Sequence, residues 1–287
     1  MSEETLSWLL EGDPSVRWQV FADLLDDQES AAEERAKVAK EGWGAELLGH
    51  QDPEGTWAGG LYNPKWISTT YTLLLLRRMG LAPDNAQAHA GVARLLEGAR
   101  LIEGGVAFRP SSKLGDACVT GMMVMLGSYF GIRNAEVDRF VDWLLEEIQP
   151  DAGWNCERPW GSRHGSFHTT ITVLEAFDDY RAPAVRYLAD AAREFLLEHR
   201  LYRSHRTGEV SKPEFTRFSF PPRWHYDVLR GLDHFQNVDA PRDDRAAGAI
   251  ELVTKKAKDG RWPLQNHYKG REWFRMEPVG KPSRWNT

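Results

Sequence analysis

A turn built around a glycine recurs five times along this chain at nearly constant intervals. In each copy an apolar or aromatic residue closely follows the glycine. The copies are Gly55-Thr-Trp57, Gly105-Val106, Gly153-Trp154, Gly208-Glu-Val210 and Gly260-Arg-Trp262. Successive glycines lie 50, 48, 55 and 52 residues apart. A period of this length indicates a repeat architecture, in which each unit buries its apolar face against the next unit.

Each glycine turn is followed by a loop and then by a segment with the pattern of a buried helix. Small hydroxyl residues precede an apolar run, which favours burial on most faces of the helix. We predict that these inner helices begin near Trp66, Asp116, Phe167 and Trp224, with a fifth near Ser283. Charged segments with a one-sided apolar stripe alternate with them. They predict outer helices near 30–49, 85–99, 134–148, 184–200 and 241–257.

The first helix pair is compact and comprises Glu3 to Leu10 and Val16 to Leu25. With this pair, the pattern predicts an all-α fold, an (α/α)6 toroid of about six helix hairpins that forms one domain over residues 1–287. The sixth inner helix should follow Trp285, so the last inner helix is apparently missing. Because an open seam would expose apolar surface, we expect either a truncated C-terminus or another partner that fills the gap.

Charge and cysteine content limit the class of partner and the compartment. The net charge of -6 argues against a nucleic-acid binder that relies on overall basicity. The two cysteines, Cys118 and Cys156, do not suggest a disulfide framework and fit a reducing compartment. The N-terminus has no signal-peptide run, and no apolar stretch is long enough to span a bilayer. The sequence thus predicts a cytoplasmic protein with a small-molecule substrate, and it leaves the oligomeric state open.

Long loops connect the outer helices to the inner helices, at the end of the ring where the inner helices begin. Long loops in a compact domain usually carry function. Four of them contain sixteen lysines and arginines against eight acidic residues, namely 101–115, 149–165, 201–223 and 258–284. Together with the helix N-termini, this charge predicts an anionic substrate. The alternative is that these arginines pair with nearby acids and carbonyls.

The densest set of candidate catalytic residues precedes the fourth inner helix. Two prolines impose an extended approach there, and Arg223, Trp224, His225 and Asp227 follow at the helix start. His225 is a candidate general acid or base, and Asp227 would orient it or replace it. His168, at the start of the neighbouring inner helix, is the third catalytic candidate. The alternative is that Trp224 packs in the wall and His225 bonds a loop carbonyl.

Tryptophans, arginines and one glutamine of the loops are candidate substrate ligands. Aromatic rings stabilise cations or stack on sugars, and arginines clamp phosphates and carboxylates. We predict a substrate-binding set of Trp66, Arg158, Trp160, Arg163, Arg223, Trp224, Gln265 and Trp285. The tryptophans within the glycine turns are expected instead to lock each turn against a helix; they are Trp57, Trp154 and Trp262.

The segment 51–57 resembles a known superfamily. Its Gln51, Gly55 and Trp57 match the Q-x-x-x-G-x-W pattern of terpenoid cyclases and protein prenyltransferases, and the repeat extends the resemblance to nearly the whole chain. The chain looks most like short bacterial proteins named prenyltransferase or squalene cyclase-like. The resemblance implies an (α/α)6 toroid that binds an anionic, partly apolar small molecule such as a prenyl diphosphate. The Asp-x-Asp-Asp motif with which class II cyclases protonate their substrates is absent, which leaves enzymatic activity uncertain.

The resemblance also implies a possible zinc site. Prenyltransferase β subunits hold zinc with an Asp-x-Cys pair and a later histidine, and Asp116, Cys118 and His168 occupy comparable positions. The separation between cysteine and histidine is longer in that family. Asp116 is alternatively a helix N-cap, and Cys118 a small buried residue.

Two other functions stay open. An (α/α)6 carbohydrate-active enzyme would need two facing carboxylates, for which Asp116 and Asp227 are the only candidates at the rim. A non-catalytic binding toroid would keep His168, His225 and Asp227 buried and fully hydrogen-bonded.

Overall fold

The computed structural model describes residues 1–287 and consists of α-helices with one short hairpin. The helices are α1 (Glu3–Leu10), α2 (Pro14–Gln19), α3 (Gln28–Lys37), α4 (Gly42–Gly49), α5 (Thr69–Arg78), α6 (Ala86–Gly98), α7 (Ala117–Tyr129), α8 (Ala135–Glu146), α9 (Phe167–Tyr180), α10 (Pro183–Glu198), α11 (Val228–Asn237) and α12 (Ala247–Lys255). Strands β1 (Arg100–Ile102) and β2 (Gly105–Ala107) pair antiparallel. A π-helix, Val20–Leu24, continues α2. The predicted all-α class is confirmed, and none of these helices has the length and apolarity that crossing a membrane requires.

Inner and outer helices follow the sequence pattern closely. The inner helices α5, α7, α9 and α11 begin within a few residues of their predicted starts. Helix α7 is buried on most of its faces, whereas the amphipathic α8 buries one stripe that includes Val137, Phe140 and Leu144. Near Ser283 the backbone makes a single helical hydrogen bond, from the Thr287 N–H to the Ser283 carbonyl at 3.1 Å.

Two local features differ from the prediction, and glycines explain both. The outer helix predicted over 30–49 is two helices, α3 and α4, because Gly42 adopts a φ of 62°. A Cβ at that position would lie 2.0 Å from the Asp13 carboxylate. The hairpin of β1 and β2 turns at Gly104, where φ is 98°. The neighbouring Gly105 packs so closely on the Trp143 ring that a Cβ would lie 2.6 Å from it.

The chain divides into two compact units. Unit 1 comprises residues 1–95, 219–223 and 256–287, and unit 2 comprises residues 96–218 and 224–255. In unit 1, Leu9, Val16 and Val20 form a core cluster that Trp43 and Trp285 cover. In unit 2, α7 packs along α9, where Gly121 allows the close approach of Val173. The single domain inferred from the repeat stays a prediction.

One hydrogen bond recurs in the glycine turns. The backbone N–H of the apolar turn residue donates to the hydroxyl of a threonine further along the chain, at 2.9 to 3.0 Å. The four pairs are Trp57 with Thr69, Val106 with Thr120, Trp154 with Thr170, and Trp262 with Thr287. The indoles of Trp57 and Trp154 are fully buried and each donates to a helix carbonyl at 2.7 Å. As predicted, these tryptophans lock their turns against helices.

Candidate functional site

The starts of α9 and α11 bring two of the predicted catalytic residues together in unit 2. The His168 ring lies edge-on to Phe215, Trp224 and His225, with centroid distances of 5.3, 5.2 and 5.6 Å. We call these four residues the histidine cluster. Within it, the His225 ring stacks on Trp224 at 3.8 Å. The predicted convergence of His168, Trp224 and His225 is therefore present.

The protonation state of His168 follows from its environment. Its Nδ1 accepts a hydrogen bond of 2.8 Å from the backbone N–H of Tyr226. Burial lowers the pKa of His168 to about 3, and the positive charges of Lys212 and Arg230 lower it further. The ring is therefore neutral at pH 7. Because Nδ1 is an acceptor, the proton lies on Nε2. His168 is consequently suited to donate a hydrogen bond from Nε2, and poorly suited to act as a base there.

Asp227 has a structural partner that limits its chemistry. It is buried, with 2% of its surface exposed, and its carboxylate accepts the backbone N–H of Arg230 at 3.0 Å as the N-cap of α11. An N-cap carboxylate of this kind fixes the first turn of the helix. This arrangement favours a role for Asp227 in positioning the start of α11 over direct contact with a substrate.

A buried ion pair, not anticipated from the sequence, holds the His225 backbone. Arg230 donates from Nε and Nη2 to the two carboxylate oxygens of Glu175, both at 2.8 Å. Its Nη1 donates to the carbonyl of His225, also at 2.8 Å. The only signal in the sequence was a single acidic residue within the apolar run of α9. The pair ties α9 to α11 and fixes the backbone that carries the histidine cluster.

The zinc ligands implied by the resemblance do not form one group. Asp116 and Cys118 are adjacent as expected, with Cys118 Sγ 3.1 Å from Asp116 Oδ1. The third residue beside them is Cys156, and the ligand atoms of these three residues all lie within 4.8 Å of one another. His168 is not a member of this group, and its Nδ1 accepts the Tyr226 N–H instead. The predicted N-cap role of Asp116 is also present, since its carboxylate accepts the Cys118 and Val119 N–H groups.

The thiol of Cys118 is shielded from ionisation in this arrangement. Hydrogen bonding to Cys156 is the largest cause of a pKa well above the ordinary cysteine value, and burial and the nearby Asp116 add to it. The backbone N–H of Cys118 points at the Cys156 sulfur at 3.2 Å.

In unit 1, Trp66 and Arg223 face each other, but around a very small space. The Arg223 guanidinium lies 5.7 Å from the Trp66 ring centroid and 3.3 Å from the Glu272 carboxylate. Burial lowers the pKa of Arg223 to about 10. The cavity that these residues share with Trp273 has a volume of about 10 Å³, which is room for one water molecule. Within unit 1, these two predicted ligands therefore enclose no space for a larger molecule.

The remaining predicted ligands fall into two groups. Gln265 and Trp285 have partners within unit 1. Lys256 donates to Gln265 at 2.8 Å, and Trp285 stacks on Phe220 at 4.1 Å. In unit 2, Trp160 is 79% exposed and Arg163 is also exposed.

Several of the loop arginines are paired within the protein. Arg158 forms a salt bridge with Glu147, and Arg223 pairs with Glu272. The alternative of internal pairing is therefore correct for these two. Internal pairing does not account for Lys212. Its side chain is exposed beside the histidine cluster, and its Nζ lies 5.8 Å from the Phe215 ring centroid.

Comparisons with known proteins address the fold. No model of a protein family and no curated protein sequence matches the chain. Among solved structures, the type II terpene cyclase MstE from Scytonema matches with a TM-score of 0.50 and 15% identity, over 90% of this chain and 82% of MstE. The chain has a terpenoid cyclase-like fold. The fold to which the resemblance pointed is confirmed, whereas identity this low leaves the chemistry to the site itself.

Further structures are similar at slightly lower TM-scores. A protein from Actinoplanes matches at 0.49, with 14% identity over 90% of this chain and 74% of its own. A variant of MstE in complex with its substrate, geranylgeranyl dihydroxybenzoate, matches at 0.49, with 18% identity over 90% of this chain and 81% of its own. ent-Copalyl diphosphate synthase from Streptomyces platensis matches at 0.48 with 15% identity, over 86% of this chain and 42% of its own length.

Proposed function

We propose that the protein is an enzyme that binds an anionic, partly apolar small molecule, such as a prenyl diphosphate, beside the histidine cluster. The terpenoid cyclase-like fold supports the prenyl part of this proposal.

The observation that carries the proposal is that His168 and Lys212 both lie against the ring of Phe215. His168 offers an Nε2–H donor that stays neutral at physiological pH, and the exposed ammonium of Lys212 contributes a positive charge nearby. Hydrogen-bond donors and a cation of this kind match an anionic group such as a diphosphate. The adjoining rings of Phe215 and Trp224 provide apolar surface for the chain, and they would attract a carbocation formed along it.

We therefore assign the role of general acid or base to His225. It is half-buried, it stacks on Trp224, and its backbone carbonyl is fixed by Arg230. His168 is limited to donating from Nε2, and Asp227 to positioning. A histidine is the side chain best suited to exchange a proton near neutral pH. The absence of an Asp-x-Asp-Asp motif from the sequence is consistent with a different acid from that of class II cyclases.

The geometry disfavours the carbohydrate alternative. A glycosidase pair needs two carboxylates that face the scissile bond. Asp116 and Asp227 are each engaged as a helix N-cap, and Asp227 is also buried. Neither is arranged as a free acid or nucleophile.

A thermal unfolding panel tests the ligand class. Geranylgeranyl diphosphate, geranylgeraniol, inorganic pyrophosphate and a neutral oligosaccharide are compared at equal concentration. A ligand present at about 100 times its Kd stabilises the native state by about 2.7 kcal/mol, which corresponds to roughly 5 °C in Tm for a chain of this size. We expect such a shift only with the diphosphate that carries the chain. Stabilisation by the oligosaccharide alone would exclude the proposal.

Product analysis tests catalysis separately. The wild-type protein should convert the prenyl diphosphate to a new product, and His225→Ala should bind the same ligand with little or no turnover. Binding without turnover in the wild-type protein would contradict the enzymatic part of the proposal and support a binding protein.

A further inference from the structure

Three potential metal ligands converge at the N-terminus of α7 in unit 2. They are the carboxylate of Asp116 and the sulfurs of Cys118 and Cys156, all within 4.8 Å of one another. Asp116 and Cys118 flank the first residue of α7. Cys156 lies in the loop that precedes α9, and its sulfur is 3.3 Å from the hydroxyl of Thr169 in α9. All three ligand residues are half-buried, so the group is enclosed yet reachable from solvent.

We infer that Asp116, Cys118 and Cys156 form a binding site for a thiophilic divalent cation such as Zn²⁺. Two sulfurs and one carboxylate oxygen are ligands that zinc accepts in tetrahedral sites, and three protein ligands leave the fourth position for water. In a tetrahedral site with Zn–S bonds of about 2.3 Å, two sulfurs lie roughly 3.8 Å apart. The present separations thus need only small side-chain rotations to reach bonding distance.

A backbone donor already contacts one of the two sulfurs. The Cys118 N–H, in the first turn of α7, donates to the Cys156 sulfur at 3.2 Å. On binding, the cation takes the place of the thiol protons, which are released to solvent.

This ligand set differs from the one that the family resemblance implies. In that set a histidine would be the third ligand, whereas here Cys156 occupies the place beside Asp116 and Cys118 and His168 is held by Tyr226. The two sets make opposite predictions for Cys156 and His168 variants. The inference does not depend on the proposed substrate.

Titration of the reduced, metal-free protein with Co²⁺ tests the site without reference to activity. Binding of one equivalent should produce thiolate-to-cobalt charge-transfer absorption, and Zn²⁺ should displace the cobalt and abolish the band. Cys156→Ser removes one sulfur and should weaken Co²⁺ binding at least about 100-fold, more than the loss of an outer-shell partner usually costs. His168→Asn should leave both affinity and spectrum unchanged. Thermal unfolding of each metal-free variant shows whether it retains the native fold.

Three results would overturn the inference. The first is the absence of charge-transfer absorption in the reduced wild-type protein. The second is retention of the full signal in Cys156→Ser. The third is loss of binding in a folded His168→Asn variant, which would restore the histidine-containing set. A native disulfide between the cysteines whose reduction yields no Co²⁺ site would count as the first result.

Discussion

The Nδ1 atom of His168 accepts the backbone N–H of Tyr226 at 2.8 Å. This bond fixes the ring orientation at the start of α9 and assigns the imidazole proton to Nε2. The family resemblance grouped His168 with Asp116 and Cys118, but His168 is not among the ligand atoms that converge there. The histidine is thereby a neutral hydrogen-bond donor, and its environment has a measurable consequence for stability.

Protonation of His168 should destabilise the fold as the pH falls. Its pKa is about 3 in the folded protein, below the ordinary value of 6.5, because burial disfavours the charged ring. The unfolded chain therefore binds more protons between these two values. The stability that the neutral ring provides is complete above pH 6.5 and is lost progressively as the pH falls toward 3. The slope for one group is at most about 1.4 kcal/mol per pH unit.

The variant His168→Asn isolates the contribution of His168 to the pH dependence of stability, because asparagine keeps an acceptor for the Tyr226 N–H and does not titrate. Urea unfolding at pH 7.5, 6, 5 and 4 should show a steeper loss of unfolding free energy in the wild-type protein than in the variant. Parallel pH profiles for the two proteins would mean that His168 is not held neutral.

Removal of one partner of the ion pair between Arg230 and Glu175 should lower the stability of the fold. Both side chains are buried and joined by two hydrogen bonds of 2.8 Å. We expect Glu175→Gln to lower the free energy of unfolding by about 3–5 kcal/mol, because it leaves the Arg230 charge buried without its counter-charge. The double variant Glu175→Leu with Arg230→Met should recover most of that loss. Urea denaturation measures both values, and a single variant with wild-type stability would contradict the role of the pair.

The recurring turn bond can be tested at Thr170. Its hydroxyl accepts the N–H of Trp154, which lies in the fully buried part of its turn. Thr170→Val keeps the shape but removes the acceptor, and should lower the free energy of unfolding by about 1–3 kcal/mol. Thr170→Ser keeps the hydroxyl and loses one methyl group, at a cost of about 1 kcal/mol or less. Amide exchange at Trp154 should accelerate only in the valine variant; equal exchange in both would argue against the bond.

The helical framework was predictable because its signals are local and periodic. The 48- to 55-residue spacing of the glycine turns located α5, α7, α9 and α11, and the one-sided stripe of α8 identified an outer helix. The break between α3 and α4 was not predictable from the same pattern. It depends on the approach of Gly42 to Asp13, a contact between segments about thirty residues apart.

Sequence position predicted three members of the histidine cluster, but not their chemistry. Sequence position brought His168, Trp224 and His225 together correctly, since helix starts at the same end of a repeat lie close to each other. The count of basic residues overstated the free positive charge, because pairing partners such as Glu147 for Arg158 lie outside the loops counted. Cys156 was overlooked as a possible ligand because it is 38 residues from Cys118 in the sequence. Its proximity to Cys118 arises from the path of one loop.

The measurement that tests the central claim most directly is calorimetric titration of geranylgeranyl diphosphate into three proteins. These are the wild type, Lys212→Gln, and Arg206→Gln as a matched control for an exposed cation in the same loop. We expect the wild type to bind the diphosphate and not geranylgeraniol. Lys212→Gln should weaken binding about tenfold, or about 1.4 kcal/mol, and Arg206→Gln should leave it unchanged. Equal affinity for the diphosphate and the alcohol, or the same affinity in all three proteins, would contradict an anion site beside His168.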